Sequence, residues 1–178
     1  MSRLFGFVTV ALLVAASLLG KGYYPPRISF IDGKASFEPA GDVDWSEVTV
    51  NLPILSGDRI ISQPDSRVEV ELGEGNFLRL GEKTDVVFGN VSGRDGDIEL
   101  KLGELVLRVN DSARYFVHLP NASVKIKKKG YYRVSVNEQG DSRLVVWKGR
   151  AEVENAVGER RVENGKQLII AGTNATLE

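Results

Sequence analysis

The sequence contains no cysteine and a single histidine, His118, among its 178 residues. The missing thiols exclude disulfides, thiolate metal sites, a cysteine nucleophile and a lipid-modified N-terminal cysteine. One histidine leaves no choice of Ser-His pair and no histidine-rich metal site. An excess of one charge is lacking too: 23 Lys+Arg stand against 24 Asp+Glu, net −1, so the field that gathers nucleic acid is missing. No G-x-S-x-G, H-E-x-x-H or Walker-type glycine loop occurs, and each of those motifs carries a defined chemistry. The expectation is a protein with no catalytic residues, no metal and no cofactor. Beyond residue 21 no window repeats apolar residues at three and four over a helical length, which excludes a helical domain.

What is present begins with an address. Arg3 precedes an uncharged, mostly apolar stretch, Leu4 to Gly20. A basic start, an apolar middle and the small residues Ala15-Ala16-Ser17 read as a secretory signal cut after Ser17. The stretch is also at the lower edge of bilayer-spanning length, so an uncleaved helical anchor is the rival reading, with membrane association through residues 4–20. Either way the remainder is expected outside the cytoplasm, in a bacterial periplasm or cell envelope. The organisation expected is signal or anchor over 1–20, a stiff linker over 21–26 containing Pro25-Pro26, a β domain over 27–172, and a frayed tail over 173–178.

The domain is built on a period of two. Arg67-Val68-Glu69-Val70-Glu71-Leu72 places Val68, Val70 and Leu72 on one face, and Asp97–Leu102 does the same with Ile98, Leu100 and Leu102. Alternation of this kind marks half-buried strands. Glu104–Val109 continues it beyond Gly103. Further strands are expected at Arg27–Ile31, Lys34–Glu38, Arg59–Ser62, Phe77–Leu80, Asp85–Phe88, Tyr115–Leu119 and Val124–Lys127. The last group is Tyr131–Asn137, Arg143–Lys148, Arg150–Glu154 and Gln167–Ala171. Asp32-Gly33 has the composition of a two-residue hairpin turn, and the 19 glycines suit a chain of many tight reversals. The fold expected is all-β, an antiparallel-rich sandwich or solenoid-like β-roll of many short strands, preceded by one N-terminal apolar helix. Ser66–Gly73 and Ser142–Gly149 echo one another weakly within it.

Candidate sites are few. Lys125, Lys127, Lys128, Lys129 and Arg133, interleaved with Tyr131 and Tyr132, form a one-sign cluster in a stretch free of acids. Such a patch suits an anionic cell-wall polymer, a lipid surface or an acidic envelope protein; as an alternative it is a solvated strand whose lysines discourage edge pairing. Asn51, Pro53, Gly57 and Asp58 have the chemistry of a reversal held by an Asx-type bond, or of a binding loop. Asp95-Gly96-Asp97 offers oxygen ligands without the spacing of a calcium loop, and reads as a polar hairpin tip. Glu69 and Glu71 share one exposed strand face, where no division into acid and base is forced.

The run from Arg27 to Gly172 resembles the FecR-like domain, an all-β extracytoplasmic module of bacteria. The resemblance rests on Gly33, Trp45 and Asn51-Leu52-Pro53-Ile54-Leu55-Ser56-Gly57-Asp58-Arg59-Ile60, then on Ser66–Leu72 with Arg67 and on Phe77–Thr84 with Arg79. Leu102-Gly103-Glu104-Leu105, Gly130–Val134 and Val146–Val153 with Gly149 follow in order. In the family's regulators such a domain relays the state of an outer-membrane receptor to a cytoplasmic anti-sigma segment. Only Met1, Ser2 and Arg3 precede the apolar stretch here, so the expectation is an exported module without that segment. What the resemblance implies is an exported, non-enzymatic β module. With the export signal and the missing catalytic groups, the expectation is a scaffold or adaptor that binds an envelope protein or polymer, with no nucleic-acid partner. The alternative is a periplasmic sensory component working with a separate membrane partner.

Overall fold

The computed structural model describes residues 25–110 and 113–178; the expected export helix lies outside the described residues. The first strand, β1 (Arg27–Asp32), is followed by β2 (Ala35–Glu38), β3 (Ser46–Glu47) and β4 (Arg59–Ser62). Then come β5 (Arg67–Gly73), β6 (Asn76–Leu80), β7 (Asp85–Val91) and the long β8 (Asp95–Val109). The second half contains β9 (Arg114–Leu119), β10 (Ala122–Ile126), β11 (Gly130–Val136), β12 (Ser142–Lys148), β13 (Arg150–Asn155), β14 (Gly158–Glu163), β15 (Lys166–Ala171) and β16 (Asn174–Leu177).

Two sheets result. In the first, the strand order is β1-β5-β6-β8-β11-β12-β15-β16, antiparallel throughout. In the second it is β3-β2-β4-β7-β8-β9-β10-β13-β14, antiparallel except for the β8–β9 pair. Successive hairpins alternate between them: β9–β10 in the second sheet, β11–β12 in the first, β13–β14 in the second, β15–β16 in the first. The chain is therefore an all-β roll of stacked hairpins. The inward residues of the period-two pattern form one continuous core, from Ile28, Val68, Val70 and Leu72 to Leu168 and Ile170. The exception is Leu102, expected inward but only half-buried beside Gly103 and outside that core.

One strand belongs to both sheets. The first half of β8 lies between β7 and β9, and its second half between β6 and β11. The bend is at Gly103, with φ +88°, so the two strands expected on either side of that glycine are one. A parallel neighbour needs a crossover, and the second half of β8 supplies it by carrying the chain away before β9 returns.

Two further expectations are corrected, and a polar strand is added to those expected. Asp32-Gly33 is no hairpin: β1 pairs with β5 and β2 with β4, so Gly33 (φ +86°) is a corner between sheets. Its turn is closed by Lys34 N–H donating to Ser66 Oγ at 2.9 Å. Polar β14 carries no alternation, because Gly158-Glu159-Arg160-Arg161 presents charge on both faces and the strand buries only Val162. The tail is not frayed, since Asn174–Leu177 forms β16 against β15, closed by reciprocal Gln167–Glu178 backbone bonds at 2.9 Å.

Candidate functional site

The basic cluster is contiguous in sequence and divided in space. The chain passes from the second sheet to the first between Ile126 and Gly130, so Lys125 and Lys127 point out from one sheet and Tyr131 and Arg133 from the other. Lys125 Nζ lies 5.9 Å from the centroid of the Phe116 ring. Lys127 Nζ donates to Glu152 Oε2 at 3.0 Å, and this bond holds the Glu152 carboxyl below its ordinary range. Arg133 pairs with Glu104. A single patch of five cations is therefore not what forms.

What forms instead is a corner. The β10–β11 crossover abuts the β12–β13 crossover, because β11 and β12 are antiparallel neighbours with Tyr131 opposite Lys148. The approach is so close that only glycine fits on both sides. A Cβ at Gly130 would stand 2.1 Å from the Lys148 carbonyl oxygen, and one at Gly149 (φ +103°) 2.8 Å from the Lys129 carbonyl oxygen. Tyr132 ties the two corners together: its buried hydroxyl donates to the Lys128 carbonyl at 2.8 Å and accepts from Arg150 N–H at 3.2 Å. Burial holds this phenol above its usual range, keeping it a neutral donor. An open groove of about 380 Å³ lies over the joint, lined by Lys128, Lys129, Gly149, Arg150 and Glu163. Arg150 Nε is paired with Glu163 at 2.9 Å; Lys128 and Lys129 have no ion-pair partner among the described residues. Tyr132→Phe is expected to cost about 1–2 kcal/mol by leaving the Lys128 carbonyl and Arg150 N–H unmatched, measurable by urea denaturation.

The face of the first sheet beside this corner is aromatic. Tyr131 and Trp147 stand with ring centroids 5.3 Å apart, and Trp147 is 46% exposed. Arg79 donates to the Tyr131 hydroxyl at 2.8 Å and to Glu69 at 2.6 Å, and the Glu69 bond is the main reason its guanidinium is held above the usual range. Glu69 and Glu71 are thus both ion-paired, Glu71 with Arg27 at 2.7 Å.

The remaining motif residues hold loops. Asp58 is 3% exposed; its carboxylate accepts from Ala40 N–H at 3.0 Å and from Leu55 N–H at 2.7 Å. Gly57 (φ +93°) donates to the Phe88 carbonyl at 2.6 Å. Asn51 (φ +69°) and Pro53 sit in a segment that lies along β1, with Asn51 N–H donating to the Ile28 carbonyl. Trp45 covers Arg59, whose guanidinium grips Asp85 through two bonds of 2.8 and 2.7 Å. Arg67 stands opposite Asp32 across the β1–β5 pair, and its side chain makes no ion pair among the described residues.

The second sheet holds an arrangement that sequence spacing concealed. Ser123, His118 and Asp97 stand in a row across β10, β9 and β8, with His118 Nδ1 3.3 Å from Ser123 Oγ and Nε2 3.2 Å from Asp97 Oδ1. Only strand pairing unites them, since Ser123 is opposite His118 in register. The row is open to solvent, and β10, which carries Ser123, is paired with a strand on each side. Asp95 is taken up by Arg114 at 3.0 Å, so Asp95 and Asp97 are each matched to a cationic or imidazole neighbour.

The FecR protein family model matches residues 58–152, just over half of the 178-residue chain. The chain belongs to the FecR family. The matched span takes in Asp58, Arg67, Arg79, Gly103 and Gly149 and both corners of the basic groove; Gly33, Trp45, Asn51, Pro53 and Gly57 precede it. Two crystal structures of a candidate anti-sigma factor from Parabacteroides distasonis share the fold, with TM-scores of 0.56 and 0.57 at 20% identity. Each match covers 67% of this FecR-family chain and 57% of the other, so the chain spans less than two thirds of that relative's length. No curated protein matches the sequence.

Proposed function

We propose that this FecR-family chain is an exported, non-enzymatic binding module whose basic corner holds an anionic polymer of the cell envelope. The carrying observation is the stacking of two crossovers, which sets unpaired Lys128 and Lys129 beside Arg150 over a groove with one acid, Glu163. Two exposed ammonium groups at the lip of an open groove suit a repeating phosphate or carboxylate rather than one enclosed small molecule. The apolar run Leu4–Gly20 after Arg3 supports export, and the solvent-open Ser123–His118–Asp97 row supports a role without catalysis.

The test is retention of the full chain, in mild detergent, on immobilised lipoteichoic acid, with neutral dextran as reference. Lys128→Glu with Lys129→Glu should weaken retention at least about tenfold, and raised salt should weaken that of the native chain. Arg133→Glu, on the other sheet and paired with Glu104, should leave it unchanged. Equal retention of the native and doubly reversed chains overturns the reading. A sensory role beside a separate membrane protein is the second reading, favoured by the relative's description as a candidate anti-sigma factor. It requires an anchored N-terminus or a dedicated partner; recovery from cells of a free protein beginning near Leu18, by N-terminal sequencing and membrane fractionation, would count against it.

A further inference from the structure

A sheet edge is a row of unspent backbone donors and acceptors, and stable proteins blunt such rows with charge, brevity or cover. Three of the four edges here are blunted. The free side of β1 is covered by the Asn51–Ile54 segment, through Asn51 N–H to the Ile28 carbonyl, Ile28 N–H to Leu52 and Ile54 N–H to Pro26. Strand β3 is two residues long. Strand β14 carries Glu159, Arg160, Arg161 and Glu163, all exposed.

Among the described residues, no backbone bond is made to the free side of the fourth edge, β16. It reads Asn174-Ala175-Thr176-Leu177, uncharged and in unbroken register with β15. Gln167 and Glu178 exchange both backbone bonds, and antiparallel ladders alternate bonded and unbonded pairs. Asn174 and Thr176 therefore bond inward to β15, while the N–H and C=O groups of Ala175 and Leu177 face away from the sheet. Beside them Leu177 is 46% exposed.

We infer that β16 is the interface of a symmetric dimer, in which the first sheets of two copies of this chain join edge to edge through antiparallel β16 strands. Its sequence is self-complementary about Thr176. With the two-fold axis at that residue, Ala175 of each copy exchanges backbone bonds with Leu177 of the other. The two Thr176 side chains meet in an unbonded pair, a favourable cross-strand combination. Asn174 lies opposite Glu178, amide to carboxylate, and no like charges face one another. A two-fold contact must be complementary to itself, and this register is. The Leu177 side chain of each copy is covered in the same step.

The chain's lack of cysteine makes the test clean. Thr176→Cys should give a disulfide-linked dimer of the full chain under mild oxidation, because side chains in an unbonded antiparallel pair approach within disulfide reach. Glu159→Cys, on the blunted β14 edge, should not. In sedimentation of the full chain in mild detergent, Thr176→Lys should raise the dimer dissociation constant at least about tenfold by setting two ammonium groups face to face. Mixing it with Thr176→Asp should restore a mixed dimer, which shows that both variants fold. A monomeric native chain at about 100 µM, or a dimer unaffected by Thr176→Lys, overturns the inference. Partner strands from other proteins would give the first of these results.

Discussion

Gly103→Ala is expected to lower the stability of the domain by about 2–5 kcal/mol, a fall of about 2–4 °C in Tm for each kcal/mol at this chain length. Two costs add. The left-handed conformation costs an L-residue about 1–2 kcal/mol, and Gly103 has φ +88°. The added methyl also has nowhere to go: its carbon would stand 2.5 Å from Thr84 Oγ1 and 2.6 Å from the Lys83 carbonyl oxygen and Thr84 Cα. Overpacking against backbone typically costs about 1–3 kcal/mol. Thr84 cannot retreat, because it is fully buried and holds Glu104 through N–H to Oγ1 at 3.0 Å and Oγ1 to the carbonyl at 3.1 Å. Since β8 serves both sheets at this bend, the loss should appear as one cooperative shift in thermal unfolding, seen alike by far-ultraviolet dichroism and tryptophan fluorescence. A cost below about 1 kcal/mol, or separate transitions for the two probes, would count against this account.

Asp58→Ala is expected to cost about 2–4 kcal/mol. The carboxylate collects the N–H groups of Ala40 and Leu55 from two sides of one loop region, and each orphaned donor costs about 1–3 kcal/mol when water cannot replace its partner. Asp58→Asn keeps one acceptor oxygen and should recover about half of the loss, an order that urea denaturation of the three proteins would establish. If Asp58→Ala proved neutral while polymer retention fell, the loop would be a binding loop and its hydrogen bonds incidental.

The contrast between these residues shows which parts of the molecule were legible in advance. Alternation identified the core strands, because Val68, Val70 and Leu72 or Ile98 and Leu100 have to be shielded on one face whatever their pairing. Pairing is a different matter. Asp32-Gly33 has hairpin chemistry, yet the glycine turns a corner between sheets, since positive φ serves either purpose. Strands β14 and β16 bury too few apolar side chains to stand out, Val162 in one and part of Ala175 in the other. The candidate site was half legible. Lys128 and Lys129 were conspicuous as a run, but their dispersal from Lys125 and Arg133 and their union with Arg150 depend on where a crossover falls. Ser123, His118 and Asp97 meet only through register, which no linear spacing encodes.

The order of strands in the first sheet has a consequence for reach. Its two borders are β1 and β16, the first and last of eight strands and so seven strand spacings apart. Neighbouring strands are separated by about 4.8 Å, so the sheet spans roughly 34 Å crosswise. Whatever holds residue 25 and whatever grips Thr176 are kept apart by that width. The two borders are thus held at a set spacing, and a tug directed across the strands loads the seven intervening ladders in series.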